Sequence, residues 1–147
     1  MFRRVPILIS LTFLVASLAL MLPVQAQKPT PPSVEITNIS LYAQYSQGQP
    51  CNPALEKDCI YVVWRVNNAP ADKTGFSFVL SGKLNYESGS SADISKTIDN
   101  GNALSSLLDF FHSGSGTTKS AEVTLKLFKR EGFEKKLVSQ VTQTKTF

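Results

Sequence analysis

The sequence predicts one all-β domain, an antiparallel β-sandwich, and three observations lead to this fold class. After residue 33, apolar and polar residues alternate in most segments, which is the pattern of half-buried β-strands. Short segments rich in Gly, Asn, Pro and Ser separate these runs and are typical of turns. The chain has 147 residues, a length that suits one modest core rather than two domains.

The first 26 residues are predicted to be a secretory signal peptide. Arg3 and Arg4 precede an apolar run over residues 5–22, and Val-Gln-Ala at 24–26 has the small-residue spacing of a cleavage site. An uncleaved membrane anchor is the alternative, because the run approaches the shortest length that spans a bilayer. Cleavage would make Gln27 the first residue of a secreted or periplasmic protein with no stable membrane span.

Residues 27–33 form a proline-rich leader. Pro29, Pro31 and Pro32 favour an extended polyproline-like conformation, which has no internal hydrogen bonds. We therefore expect the leader to lie outside the packed core, and a single sandwich domain to span residues 34–147.

The first two predicted strands differ in burial. Alternation over residues 34–36 resumes in the opposite phase over 39–43, which predicts a β-bulge near Asn38. After a polar loop, residues 59–66 are apolar on both faces, so this strand is predicted to lie in the middle of a sheet. One of its faces consists of Ile60, Val62, Trp64 and Val66.

The third and fourth strands form a predicted hairpin. Over residues 76–86 the large apolar side chains keep one parity, which indicates a long half-buried strand, with a kink expected at Gly82. Ser88-Gly89-Ser90 is the turn, and residues 92–98 alternate again. The predicted core comprises Trp64 together with Phe76, Phe78, Leu80, Tyr86, Ile94, Val123, Leu125 and Leu127.

Residues 103–111 break the period of two. Leu104, Leu107, Leu108 and Phe111 have the i, i+3, i+4, i+7 spacing of one helical face. Asn102 is a suitable N-cap residue. The spacing therefore predicts one short crossover helix over residues 103–111.

The chain ends in a second predicted hairpin. Residues 121–128 alternate, the turn lies at Arg130-Glu131-Gly132, and Leu137, Ser139 and Val141 share one face of the last strand. Val138 breaks that pattern. The final Thr- and Lys-rich segment has few apolar residues, so we expect the last strand to be a sheet edge.

This strand order, with Trp64 in the central sequence YVVWRV, resembles an immunoglobulin-like domain of fibronectin type III character. The resemblance covers residues 34–147 and implies a two-sheet antiparallel sandwich. Two features depart from it. Residues 103–111 have a helical pattern, and the two cysteines lie too close in sequence to form the bridge between sheets that antibody domains contain.

Cys51 and Cys59 are the only cysteines, and we expect them to form a disulfide. An exported protein meets an oxidising compartment, in which a cysteine pair favours a disulfide. A metal site needs three or four ligands, and His112 is the only other candidate of this kind.

The sequence contains few groups suited to catalysis, so we expect a protein that is not an enzyme. His112 is the only histidine, and although Asp109 and several serines are near it, no G-x-S-x-G pattern is present. Glu87 and Asp93 are predicted to face solvent, where nothing raises the pKa of a carboxyl group for acid catalysis. No phosphate-binding loop or dinucleotide fingerprint occurs, and no cofactor is expected.

Binding is the remaining class of function. After residue 26 the net charge is only +2, which argues against a nucleic-acid partner. The candidate binding surface combines aromatic residues expected in loops with a basic cluster on the last hairpin: Tyr42, Tyr45, Phe133, Lys129, Arg130, Lys135 and Lys136.

We predict a non-catalytic exported binding or interaction module, whose partner is a protein or carbohydrate at the cell surface or in the periplasm. A basic hairpin also suits anionic surface polymers or lipid headgroups. The alternatives are a structural subunit that assembles through an open sheet edge and a small secreted hydrolase that uses His112.

Overall fold

The computed structural model describes residues 28–41, 57–111 and 117–147, and these residues form seven β-strands in two antiparallel sheets. The strands are β1 (Ser33–Leu41), β2 (Lys57–Asn67), β3 (Phe76–Tyr86), β4 (Ser91–Ile98), β5 (Ser105–Phe111), β6 (Thr118–Glu131) and β7 (Glu134–Thr146). One sheet has the order β1-β2-β5 and the other β4-β3-β6-β7. The predicted all-β class is confirmed, and the two sheets are compatible with a β-sandwich.

The core lies between the inward faces of the two sheets. Of the nine predicted core residues, eight are buried and Ile94 is partly buried against the others. The rings of Trp64 and Phe78, from opposite sheets, have centroids 5.3 Å apart and are tilted by 54°. Period-two alternation therefore predicted the core correctly, because each strand presents one parity to the facing sheet.

Gly82, on β3, lies close to side chains of the facing sheet. A Cβ atom at this position would lie 2.8 Å from Leu108 Cδ1 and 3.0 Å from Phe110 Cζ, both on β5. A side chain at this position would therefore displace the ends of these two buried side chains, which the sequence did not indicate.

Two bulges account for the irregular patterns of β1 and β7. The register of β1 against β2 shifts between Ile36 and Asn38, which confirms the predicted bulge. In β7, Val138 is the extra residue between the pairs Leu127–Ser139 and Phe128–Leu137. Val138 and Val141 pack against the core, whereas Leu137 is 53% exposed. The prediction that Leu137 shares one face of the strand with Ser139 and Val141 is wrong, because the bulge turns Leu137 to the opposite face.

The predicted helix over residues 103–111 is also wrong, since residues 105–111 form β5 and the described part of the chain contains no helix. Leu108 and Phe110 are buried at a spacing of two, and Leu104 is 51% exposed. The Asn102 N–H donates to the Asn100 side chain at 3.0 Å, so Asn102 lies in a turn and caps no helix. Pairing with β2 determines the conformation of this segment, and this pairing is not local in sequence.

Several predictions fall outside the described residues and stay predictions. These concern the signal peptide, Tyr42, Tyr45, Cys51 and His112. Cys59 is described and is 3% exposed at the start of β2. Residues 28–32 of the leader have no regular secondary structure.

Candidate functional site

The β6–β7 hairpin brings the predicted basic residues together. We call residues 129–136 the hairpin tip. Its two-residue turn consists of Gly132, with a φ of 65°, and Phe133. A positive φ at the first turn position is what a type II′ hairpin turn requires. The cross-strand pairs are Lys129 with Lys136, Arg130 with Lys135, and Glu131 with Glu134.

Phe133 is the most exposed large apolar residue of the described chain. Its relative exposure is 108%, against 53% for Leu137 and 51% for Leu104. A single exposed apolar residue is common on protein surfaces and is no site by itself. Its position at the turn, next to a cluster of cations, distinguishes it from Leu104.

All three cross-strand pairs join like charges, two of them positive and one negative, and such pairs destabilise a ribbon. The structure compensates for this repulsion only in part. Lys135 Nζ lies 3.0 Å from Asp99 Oδ1, and Lys136 Nζ lies 2.5 Å from Glu131 Oε2. Both ion pairs are exposed, and such pairs contribute little to stability.

The other two cations of the tip have weaker partners. Lys129 Nζ lies 6.0 Å from the centroid of the Phe76 ring. The Arg130 guanidinium has no carboxylate within salt-bridge distance in the described part of the chain, although the Arg130 backbone N–H donates to Gly75 O at 2.8 Å. Its side-chain donors therefore stay available to an anion.

A cleft lies beside the tip, between β3, the end of β4 and the hairpin. Its volume is about 370 Å³, and the polar residues Ser77, Asp99, Arg130 and Lys135 line it. Hydrogen bonding to Lys136, together with its positive charge, lowers the pKa of Glu131. The tip carries four cations and two carboxylates, a net charge of +2, so the rest of the chain after residue 26 is neutral overall.

Sequence reasoning missed a second polar surface, on the outer face of the four-stranded sheet. The registers align Ser95, Ser81, Thr124 and Thr142 in one row across all four strands. Hydroxyl pairs within it are 3.5 Å apart for Ser81–Ser95 and 2.8 Å for Thr124–Thr142. Only the strand registers reveal this row, because its members are scattered in sequence.

The neighbouring row on this face is charged. Lys83 lies between Asp93 and Glu122 in the register, beside an open depression of about 420 Å³. The two carboxylates outnumber the single ammonium group, so this face has no excess of positive charge. The hairpin tip is the more polarised of the two surfaces.

Tyr86 is the described titratable group whose pKa shifts most. It is 2% exposed, and burial together with the carboxylate of Asp58 raises the pKa of its phenol to about 12. The phenol is therefore neutral at physiological pH and is no ready base or nucleophile.

The remaining candidates for catalysis or metal binding do not form a cluster. Glu87, Asp93 and Asp99 are exposed, and Asp99 is engaged by Lys135. Among the described residues, no group of three or more His, Cys, Asp or Glu could hold a metal ion. The same part of the chain contains no helix long and apolar enough to cross a membrane.

No protein-family model matches the chain, and no curated protein matches it. The described surfaces are therefore the basis for a proposed function.

Proposed function

We propose that this protein is a non-catalytic exported binding module, whose hairpin tip binds an anionic surface at the cell envelope. One observation carries the proposal. A fully exposed aromatic residue lies at the turn of a ribbon in which two cross-strand pairs join like positive charges. Neither feature stabilises the folded domain, and both suit a partner that supplies negative charge and apolar contact.

Charge on an edge strand also has another explanation. Lysines near a sheet edge discourage pairing with other chains, and β7 is the edge strand of its sheet. That explanation accounts for Lys135 and Lys136, but it does not account for Arg130 on β6 or for the exposed ring of Phe133. A partner that supplies both negative charge and apolar contact accounts for all four residues.

Retention on charged matrices tests the proposal. The protein, purified as the cell exports it, is applied to beads carrying dextran sulfate and to beads carrying unmodified dextran, and to anionic and zwitterionic vesicles. We expect retention by at least one anionic surface and by neither neutral one. Retention should fall with added salt, because salt screens exposed charges.

A pair of matched variants locates the binding surface. Lys135→Glu with Lys136→Glu should abolish retention. Lys119→Glu with Lys145→Glu changes the net charge equally, but at exposed positions outside the tip, and should leave most retention intact. Equal losses in both variants, or no retention by any anionic surface, would overturn the proposal.

Assembly through a sheet edge is the second candidate. Its support is the length of β7, which has 13 residues and pairs only on its β6 side within the described sheets. If β7 adds a strand from another copy, sedimentation should show assemblies that grow with concentration. A proline placed within residues 137–143 should block them.

We also infer that the fold is of fibronectin type III character. Here β4 lies beside β3, whereas in the constant-type immunoglobulin fold the fourth strand joins the sheet of the first, second and fifth. Trp64 lies on β2, not on the third strand as in antibody domains. Cross-strand amide contacts in solution between β3 and β4 would test this assignment.

A further inference from the structure

We propose that the hairpin tip inserts end-on into an anionic lipid bilayer, with Phe133 in the acyl-chain boundary and the four cations among the headgroup phosphates. This inference rests on the proposed function, since it names the anionic surface that the tip binds. It specifies a bilayer rather than a charged polymer.

Positive charge lies on both faces of the ribbon. Successive residues of a strand point to opposite faces, so the pair Lys129–Lys136 lies on one face and Arg130–Lys135 on the other. The contacts agree with this arrangement, because Lys129 approaches the ring of Phe76 and Lys135 reaches Asp99. A ribbon with cations on both faces suits a partner that surrounds it.

The distances of the cations from the turn match the depth of a bilayer interface. An antiparallel strand rises about 3.4 Å per residue, so Arg130 and Lys135 lie roughly 5–7 Å behind the turn and Lys129 and Lys136 roughly 10 Å. Apolar groups at membrane interfaces are buried about 5–10 Å into the boundary between headgroups and acyl chains. With Phe133 at that depth, both cationic pairs lie at the level of the phosphates.

The exposed ring of Phe133 also favours a bilayer over a charged polymer. A charged polymer lying along one face of the ribbon would contact one cationic pair and would leave the ring at the turn in water. A bilayer buries the ring and engages both pairs at once. Of the two anionic surfaces, only the bilayer uses the full exposure of Phe133.

Two carboxylates lie nearest the turn and oppose insertion to different extents. Glu131 is held by Lys136 at 2.5 Å, whereas Glu134 forms no ion pair within the described chain. Glu134 therefore limits how deeply the tip enters an anionic bilayer. Glu134→Gln should strengthen vesicle binding by about fivefold, the effect of one charge near an anionic membrane.

Sedimentation with vesicles tests the proposal. The exported protein is mixed with vesicles of phosphatidylcholine alone, or of the same lipid with phosphatidylglycerol, and also with dextran sulfate beads. Phe133→Ala should weaken binding to the anionic vesicles about tenfold, because the buried ring contributes at least that much. Binding to the beads should be unchanged. Leu104→Ala, at an exposed apolar position away from the tip, is the matched control and should change neither.

A fluorescent variant reports insertion directly. Phe133→Trp adds an exposed indole to a protein whose only tryptophan, Trp64, is 2% exposed. Its emission should shift to the blue on anionic vesicles and stay unchanged on dextran sulfate. Because Phe133 contacts no core residue, these variants should fold as the natural protein does, and circular dichroism checks this.

The outcomes separate the two proposals. Binding to beads with no vesicle binding overturns insertion and leaves the proposed function standing. Vesicle binding that Phe133→Ala does not weaken, or that leaves the emission of Phe133→Trp unshifted, also overturns insertion. Binding to neither anionic surface overturns both.

Discussion

Phe78 and Phe133 are the same residue type in two contrasting regions of the molecule. Phe78 is 0% exposed and packs against Trp64 between the sheets, whereas Phe133 is 108% exposed at the turn of the β6–β7 hairpin. Burial of the first ring stabilises the domain. The second ring stabilises nothing within the chain. We propose that stability and binding belong to separate parts of one sheet, so changes at each part should affect one property without the other.

The largest effect on stability is expected for a substitution in the core. Phe78→Ala should lower the free energy of unfolding by about 3–5 kcal/mol, because it removes a fully buried ring and leaves a cavity. Phe133→Ala is the control and should change it by less than about 0.5 kcal/mol. Urea denaturation measures both. A loss under about 1 kcal/mol for Phe78→Ala would show that this ring is not in the core.

The second prediction concerns Cys59, near the start of β2, and Cys51, which lies outside the described residues. If Cys51 and Cys59 form a disulfide, Cys51→Ala with Cys59→Ala should destabilise the domain by about 2–3 kcal/mol, the chain entropy of a short loop. Thiols must be counted in denaturant without reductant, because Cys59 is 3% exposed and a reduced thiol there would escape labelling. Two labelled thiols per chain would contradict the disulfide.

Gly82→Ala tests how closely β3 packs against β5. The added Cβ would lie 2.8 Å from Leu108 Cδ1, so the buried side chains of Leu108 and Phe110 must shift, at a cost of about 2 kcal/mol. Ser81→Ala, on the outward face of the same strand, should change stability by less than about 0.5 kcal/mol. Equal thermal midpoints for the two variants would refute the close approach.

The smallest effect on stability at neutral pH is expected for Tyr86→Phe, because the Tyr86 phenol loses its proton only at high pH. Its pKa rises from 10.0 in the unfolded chain to about 12 in the folded protein. Both states are neutral below pH 10, and the unfolded state loses its proton first as the pH rises. Stability should therefore fall between about pH 10 and pH 12. Denaturation at a series of alkaline pH values should show a weaker dependence in Tyr86→Phe; an unchanged dependence would contradict the shift.

These cases show which parts of the structure the sequence predicts. Alternation predicted the buried faces of β2 and β3, because strand parity is a local property. Residues 103–111 fit a helical period equally well, and only their pairing with β2, more than 40 residues earlier, decides for a strand. The contact between Lys135 and Asp99 and the hydroxyl row likewise depend on registers, which no local pattern encodes.

The hairpin tip was predictable in part. Clustered cations and a glycine-containing turn are visible in the sequence, so its residues could be named, although the turn is Gly132-Phe133 and not the predicted Arg130-Glu131-Gly132. Their arrangement in like-charged cross-strand pairs required the register of β6 against β7. The aromatic part of the predicted surface that includes Tyr42 and Tyr45 lies outside the described residues and stays a prediction.

The proposed division between a stabilising core and a binding hairpin tip can be tested directly. Vesicle binding and thermal stability are measured on the same variants. We predict that Lys135→Glu with Lys136→Glu abolishes binding to anionic vesicles while the melting temperature stays within a few degrees of that of the natural protein. Phe78→Ala should lower the melting temperature strongly yet bind normally where it remains folded. A tip variant that binds as tightly as the natural protein would contradict the account.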